Sequence, residues 1–192
     1  MRQRSFDINQ ALEEALNAFW LNGYGATSID DLCQRMDIGR SSLYHAFGSK
    51  ERLLSDAIDL YTDRALARLV SHFSVDRPFK DNMRAILEAF ADGAVSGNSR
   101  RGCFIGELIA EFPAGSPKES RILEKKTRIL KGAIEDAARM AIANGELESS
   151  NDPAHLAHFL FATIQGLRLT GKVSPDPEVL ECIIDRTLNA IE

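Results

Sequence analysis

The sequence has little cysteine, with only Cys33, Cys103 and Cys182 in 192 residues. An odd number at wide spacing excludes a disulfide framework and a typical cysteine-based zinc site. Long apolar runs are also missing, since none approaches the roughly 20 residues that span a bilayer. The N-terminal segment leads into a polar helix without a continuous apolar core, so we expect no signal peptide. These absences favour a cytoplasmic protein.

Strand-like alternation of apolar and polar residues is also lacking, and only six prolines interrupt the chain. Three of them follow a residue that can cap a helix, at Ser116-Pro117, Asp152-Pro153 and Asp176-Pro177. Proline directly after such a cap is typical of helix starts. We therefore predict an all-α fold of nine helices.

An excess of basic residues is absent as well. The net charge is −5, and residues 1–50 carry five basic and six acidic residues. Proteins that coat nucleic acid without sequence preference have a strongly basic surface. This balance argues against such a protein but is compatible with sparse, sequence-selective contacts to DNA, which depend only modestly on salt.

Residues 27–54 have the pattern of a capped helix, a turn and a second short helix. Thr27 or Ser28 can cap the first helix, and residues 37–39 form the turn. Leu43 and Phe47 are the buried positions of the second helix. Such a pair is a helix-turn-helix, whose second helix enters the major groove of DNA. The first helix has one apolar face, made of Ile29, Leu32, Cys33 and Met36.

From Ile8 to Leu54, about a quarter of the chain, the sequence resembles the DNA-binding domain of the TetR family of bacterial transcriptional repressors. The most specific part is Leu43-Tyr44, Phe47 and Ser49-Lys50-Glu51. Two residues depart from the family pattern, because Asp37 replaces a glycine and Gly39 replaces a serine. Gly39 can still cap a helix but lacks a hydroxyl for a phosphate, and we expect DNA contact to survive both changes.

The resemblance implies a three-helix DNA-binding head, residues 1–50, and a body of about six helices, residues 51–192, for effector binding and dimerisation. The implied partners are a palindromic double-stranded DNA operator, a second copy of the chain and an unidentified small-molecule effector. It implies no cofactor, no metal ion and no membrane.

The candidate DNA contacts lie on the second helix and at helix starts. Arg40 can bind guanine or hold a phosphate, and the sequence leaves both open. Tyr44 suits a phosphate or a thymine methyl group, and Lys50 places a cation at a helix N-terminus, which suits a phosphate. The alternative is an ordinary solvated polar face. The full set is Thr27, Ser28, Arg40, Ser41, Ser42, Tyr44, His45 and Lys50.

Cys103 follows Arg100-Arg101-Gly102 at the start of a predicted helix. Two cations and a helix N-terminus would lower the pKa of its thiol if they point at it. The segment resembles an Arg-Gly-Cys branch of TetR regulators in which some members sense electrophiles or oxidants through this cysteine. The alternative is a small buried thiol beside a ligand pocket.

The resemblance also places an effector pocket among the helices of the body. Arg168 lies on a mostly apolar helix, which suggests an anionic ligand or an ion pair with Glu107 or Glu111. The candidate lining, besides Cys103, is Phe90, Phe104, Leu108, Phe161, Gln165 and Arg168.

The last two helices carry apolar stripes that either face the protein's own core or meet a second copy. Both helices have further apolar or small residues off the main stripe, such as Ala162, Gly166 and Val179, and a single buried face does not require that width. TetR-like repressors pair these helices in a four-helix dimer interface. We therefore predict dimerisation through Leu156, Phe159, Leu160, Thr163, Leu167, Leu180, Ile183, Ile184, Thr187 and Leu188.

Enzymes need a nucleophile with a base, a metal cluster or a cofactor loop. Of four scattered histidines only His155 and His158 lie one turn apart, and there is no glycine-rich phosphate loop. We predict no enzyme, with a thiol enzyme using Cys103 as the enzymatic alternative. The prediction is an effector-responsive, dimeric repressor. The alternative is an all-α small-molecule-binding or thiol-reactive protein with little DNA binding, consistent with Asp37, Gly39 and the acidic head.

Overall fold

The computed structural model of the chain describes residues 6–74, 76–96, 101–112 and 117–191. Within these residues the chain forms nine α-helices and no strand, which confirms the all-α prediction. No helix in the described part is both long and apolar enough to cross a membrane. The helices are α1 (Ile8–Asn22), α2 (Ile29–Met36), α3 (Arg40–Phe47), α4 (Lys50–His72), α5 (Phe79–Val95), α6 (Phe104–Glu111), α7 (Pro117–Ala143), α8 (Pro153–Val173) and α9 (Pro177–Asn189).

Side-chain caps begin several of these helices, as the sequence predicts. Asp7 Oδ1 accepts the N–H of Asn9 at 2.8 Å at the start of α1. Asp152 and Asp176 accept first-turn N–H groups of α8 and α9, and each is followed by proline. Because these bonds satisfy N–H groups that have no partner inside the helix, they define where each helix begins.

The chain divides into two compact units. Unit 1 comprises Met1–Asp63 and Phe104–Glu124, and unit 2 comprises Arg64–Cys103 and Lys125–Glu192. The boundary predicted from the sequence after residue 50 coincides with the start of α4, whereas the division by contacts falls within α4. In addition, α6 groups with the first three helices, an association that sequence spacing does not predict.

Aromatic side chains explain why α6 belongs to unit 1. Phe104 is fully buried, and its ring centroid lies 6.0 Å from that of Trp20 and 5.6 Å from that of Tyr61. Leu108, one turn later, is also buried. Burial of these side chains stabilises the unit by roughly 1.5–3 kcal/mol each. Phe104 and Leu108 are therefore core residues of unit 1.

In unit 2, the core is formed mainly by α5, α8 and α9, together with part of α7. The helices α5 and α8 cross closely at Gly171 and Ala94. A Cβ added at Gly171 would lie only 2.5 Å from the Cβ of Ala94. No side chain fits at that distance, so glycine is required at position 171. Met83, Ile86 and Leu87 of α5 are buried in the same core.

Candidate DNA-binding surface

A reciprocal cap fixes the start of α2. Ser28 Oγ accepts the N–H of Asp31 at 3.1 Å, and Asp31 Oδ2 accepts the N–H of Ser28 at 2.9 Å. The Ser28 hydroxyl also donates to the same carboxylate at 2.6 Å. These bonds, led by the one from the Ser28 hydroxyl, lower the pKa of Asp31. Ser28 is exposed, so the capping hydroxyl lies at the surface.

The turn between α2 and α3 accepts both departures from the family pattern. Asp37 has left-handed backbone angles, φ 52° and ψ 43°, a conformation that aspartate tolerates better than most residues. Gly39 has an extended backbone and caps α3 without a side-chain bond. A Cβ at position 39 would meet nothing within 4 Å, so a side chain would fit there.

The short helix α3 separates a buried face from an exposed one. Leu43 and Phe47 are buried against the other helices of unit 1. Arg40, Ser41 and His45 are exposed, Ser42 is half-buried, and the side of the helix that faces solvent also carries Tyr44. Tyr44 is 47% exposed. The predicted polar surface is therefore present as a contiguous set on α3.

An ion pair holds Arg40 at the start of this surface. Its Nε donates to Asp30 Oδ1 at 2.8 Å, and its Nη2 donates to Asp30 Oδ2 at 2.6 Å. The bond from Arg40 lowers the pKa of Asp30, and the same pair raises the pKa of Arg40. Both side chains are mostly exposed, so the guanidinium is oriented but accessible.

Thr27 is not part of the exposed surface. Its side chain is fully buried, and its hydroxyl donates to the carbonyl of Gly23 at 2.6 Å. It closes the turn between α1 and α2 from inside. Because no part of the side chain reaches solvent, the structure removes Thr27 from the candidate contacts.

Lys50 also binds the turn between α1 and α2. Its Nζ donates to the carbonyl of Tyr24 at 2.6 Å and lies 4.2 Å from the centroid of the Tyr24 ring. The Tyr24 hydroxyl donates to Glu51 at 3.2 Å. Burial, together with the charge of Glu51, raises the pKa of Tyr24 to about 12. The ammonium of Lys50 thus joins the start of α4 to the α1–α2 turn.

A carboxylate from α6 completes the contacts to this turn. Glu111 Oε2 accepts the N–H of Tyr24 at 2.9 Å, and its Oε1 accepts the N–H of Gly25 at 2.5 Å. A Cβ at Gly23 or Gly25 would lie 3.1 Å from this carboxylate. The sequence suggests Glu111 as an ion-pair partner of Arg168, but it does not predict this contact with the turn, because nothing near Glu111 in the chain indicates a partner so distant.

In unit 2, the effector candidates Arg168 and Phe90 come together. The guanidinium carbon of Arg168 lies 4.9 Å from the centroid of the Phe90 ring, and Nη2 donates to the carbonyl of Gly102. Arg168 Nε is buried and has no acceptor among the described residues. Cys103, next to Gly102, is buried. Phe161 and Gln165 are half-buried on α8, whereas Phe104 and Leu108 belong to unit 1.

Of the cations predicted beside Cys103, Arg101 is exposed and Arg100 lies outside the described residues.

The two histidines on α8 contact separate neighbours, since His155 Nδ1 lies 3.6 Å from Asp152 Oδ2 and His158 Nε2 lies 3.2 Å from Lys131 Nζ. In the part of the chain that the structure describes, no group of three metal-binding side chains occurs.

The predicted dimer stripe is mostly the core of unit 2. Phe159 is exposed, and Thr163 and Ile183 are half-buried. The other seven side chains are buried within the subunit, so they pack in its own core and offer little or no surface to a second copy. They are Leu156, Leu160, Leu167, Leu180, Ile184, Thr187 and Leu188.

Exposed apolar side chains lie on the faces of α8 and α9 that point away from the core of unit 2. On α8, Phe159 is 42% exposed, Leu169 62% and Val173 80%. They recur at spacings of three, four and seven residues together with exposed Ala162 and Gly166, so they form one stripe. On α9, Val179 and Cys182 are exposed and lie one turn apart. These positions, called the outer stripe below, are Phe159, Ala162, Gly166, Leu169, Val173, Val179 and Cys182.

The capped helix pair, with its exposed second helix, is the fold of helix-turn-helix transcriptional regulators. A family model described as bacterial regulatory proteins, tetR family, matches residues 11–57. A second, described as the tetracyclin repressor-like C-terminal domain, matches residues 80–186, more than half of the chain. The chain belongs to the TetR family.

Similar proteins agree over the full length. The HTH-type transcriptional repressor ComR of Escherichia coli is 28% identical over 188 residues, which cover 97% of this chain and 90% of ComR. An uncharacterized HTH-type transcriptional regulator of Bacillus subtilis, YezE, is 26% identical over 100% of this chain and 99% of its own. Among solved structures, a cysteine mutant of the TetR family regulator CifR, complexed with 26-bp operator DNA, matches with a TM-score of 0.87, 27% identity and full coverage of both chains.

Proposed function

We propose that this protein is a transcriptional repressor that binds a palindromic operator as a homodimer and leaves it when an effector binds. The observation that carries the proposal is the exposed polar face of α3, which stands out from a helix otherwise buried in unit 1. Similarity supports it, since ComR is a transcriptional repressor and a structure of a CifR mutant is complexed with operator DNA. The DNA-binding head is residues 1–50, the effector-binding and dimerisation body is residues 51–192, and the protein acts in the cytoplasm.

The contacts we propose are Ser28, Arg40, Ser41, Ser42, Tyr44 and His45. With α3 in the major groove, Arg40 reaches a guanine or a phosphate from the first turn, and Tyr44 reaches a phosphate or a thymine methyl. Lys50 and Thr27 act indirectly, because they hold the turn that precedes α2. Two heads of a dimer read half-sites about 34 Å apart, one helical turn of DNA.

Dimerisation uses the outer stripe rather than the buried one. A stripe with Gly166 and Ala162 at its centre allows the backbones of two helices to approach, and Phe159, Leu169 and Val173 supply apolar area. Contiguous exposed apolar surface of this kind is typical of an interface in a protein otherwise well packed. A two-fold axis would place each stripe against its own copy.

The effector acts at the cluster around Arg168, in our proposal. The guanidinium faces an aromatic ring and a carbonyl but pairs with no carboxylate among the residues that the structure describes. An anionic group on the effector would supply the missing hydrogen-bond acceptor and the opposite charge. Cys103 lies in the same segment, and a thiol-modifying effector remains the alternative. We assign the protein no enzymatic activity, since its relatives are transcriptional regulators.

The test of the proposed function is selection of genomic fragments by the purified protein, followed by footprinting of the recovered palindrome. Arg40→Ala and Tyr44→Ala should each weaken binding by about fivefold or more, because contacts to base edges contribute roughly 1–3 kcal/mol. Arg139→Ala, which removes an exposed cation of α7 paired with Glu135, is the matched control and should bind normally. Failure of the folded dimer to enrich any fragment at low salt would contradict the proposal and favour a small-molecule-binding protein.

A further inference from the structure

Unit 2 contains a cavity of about 130 Å³ that is separate from the Arg168 cluster. It opens where the end of α4, the start of α5 and the end of α7 meet. Its walls are mainly apolar and include two phenylalanine rings and a methionine. The apolar lining is Phe73, Phe79, Ala137, Met140 and Ala141.

The size and shape of the cavity suit one aromatic ring. An apolar protein cavity of about 150 Å³ is known to hold benzene, so a volume of about 130 Å³ is close to that of one ring. The rings of Phe73 and Phe79 are nearly parallel, with an interplanar angle of 14° and centroids 6.4 Å apart. Met140 adds a sulfur, which makes favourable contacts with the edge of a ring.

The backbone around the mouth is held in place before any ligand arrives. Asn82 is 4% exposed, and its Nδ2 donates to the carbonyls of Ser74 at 2.9 Å and of Arg77 at 3.0 Å. Its Oδ1 accepts the N–H of Ser74 at 3.3 Å. Because its amide is used on both sides, Asn82 organises the wall and is not itself offered to a ligand.

The mouth offers one cation with no ion pair. Arg77 is exposed, and its guanidinium forms no salt bridge with any residue that the structure describes. Glu146 also lines the mouth, but its Oε2 accepts the N–H of Phe79 at 2.7 Å, at the start of α5. A helix N-terminus offsets the charge of such a carboxylate. The guanidinium of Arg77 is therefore the group at the mouth that lacks an opposite charge, and a guanidinium binds a carboxylate well.

We propose that this cavity binds a monocyclic aromatic carboxylate, with the ring between the phenylalanines and Met140 and the carboxylate on Arg77. The site shares no residue with the proposed DNA contacts or with the Arg168 cluster. It is therefore a second ligand site, and it stands or falls independently of operator binding.

Benzoate is the probe, and binding to the purified full-length protein is followed by calorimetry and ligand-observed NMR. A ligand of this size should bind with a dissociation constant on the order of 1 mM. Benzamide, which has the same shape without the charge, should bind about threefold to fivefold more weakly, the difference expected for an exposed ion pair. Acetate, which lacks the ring, should not bind detectably.

Variants locate the site. Arg77→Gln should bring the affinity for benzoate down to that for benzamide and leave benzamide unchanged. Ala137→Leu should fill the cavity and remove both. Met140→Glu changes an exposed wall residue, so it should fold normally and exclude benzoate by charge. Arg139→Gln is the control and should leave both affinities unchanged, and Arg168→Met tests whether the ligand occupies the Arg168 cluster instead.

Two results would overturn the proposal. One is no benzoate binding at tens of millimolar by the folded wild-type protein, well above the dissociation constant on the order of 1 mM expected for such a ligand. The other is benzoate binding that is lost in Arg168→Met and retained in Arg77→Gln, since the ligand would then occupy the Arg168 cluster.

Discussion

Glu111 accepts the backbone N–H of Gly25 at 2.5 Å across 86 residues of sequence. With the second bond, from Tyr24 N–H at 2.9 Å, one carboxylate satisfies two N–H groups of the turn that precedes the helix-turn-helix. Charge-assisted bonds to backbone N–H groups are stronger than neutral ones. The turn that positions α2 and α3 is therefore held by α6, and its geometry depends on a residue outside the first 50.

Glu111→Gln tests this dependence. The amide keeps the shape but has only one acceptor atom, so it directs an N–H group at one of the two donors. We expect unit 1 to lose about 1 kcal/mol of unfolding free energy, below the usual value for charged hydrogen bonds because the side chain is exposed. Operator affinity should fall about twofold to fivefold. Urea unfolding and gel-shift titration measure the two effects.

The matched control is Glu135→Gln, which removes the same charge from an exposed helical pair with Arg139. It should change stability by only a few tenths of a kcal/mol, as exposed helical pairs do. Equal effects of the two variants would mean that Glu111 acts only through its charge and not by binding the turn.

The helices were predictable because their signals are local. A capping side chain such as Asp7, Ser28 or Asp152 lies within three residues of the N–H group it binds, and apolar spacing repeats within each helix. The exposed face of α3 followed from the same spacing. These parts of the fold need no knowledge of what packs against them.

The contacts that support α3 were not predictable for the opposite reason. The sequence predicts a phosphate contact for Lys50 but not the bond from its ammonium to the carbonyl of Tyr24, which lies 26 residues earlier. Thr27 resembles a surface cap in the sequence, but its hydroxyl faces inward to Gly23. On α8 both stripes are apolar, so hydrophobicity alone could not decide which one faces the core.

Asp30→Asn should strengthen DNA binding. The carboxylate of Asp30 accepts hydrogen bonds from both Nε and Nη2 of Arg40. It therefore competes with a phosphate or a guanine for these two donors. In the proposed complex, the substitution also removes a negative charge beside the DNA backbone. We expect operator affinity at low salt to rise by about threefold to tenfold, with a steeper salt dependence. Titrations at several salt concentrations measure both.

Asp63→Asn provides the same charge change on an exposed residue of α4, and it should alter affinity much less. Weaker binding by Asp30→Asn would show that the ion pair orients Arg40 for its DNA contact instead of competing with it.

Leu169→Glu tests the outer stripe. A symmetric interface would bury the introduced carboxylate twice, without a partner, and desolvation of unpaired charge is costly. We expect the dimer dissociation constant to rise by about 100-fold or more, with unchanged helical content. Sedimentation velocity over a range of concentrations measures it. Val70→Glu places the same charge on an exposed apolar position of α4, and it should sediment as the wild type.

The cap of α8 predicts a dependence of stability on acid pH. The Asp152 carboxylate accepts N–H groups of His155 and Ala154, and these bonds, that from His155 first, lower its pKa. A carboxylate whose pKa is lower in the folded state stabilises the fold fully above its unfolded pKa, about 3.9. That contribution is lost as pH falls through the lower, folded-state pKa. Asp152→Asn still caps the helix but does not titrate, so its unfolding free energy should fall less steeply than that of the wild type below about pH 4. Urea unfolding of both proteins between about pH 3 and 6 measures the difference, and parallel curves would mean that Asp152 does not contribute to the acid transition.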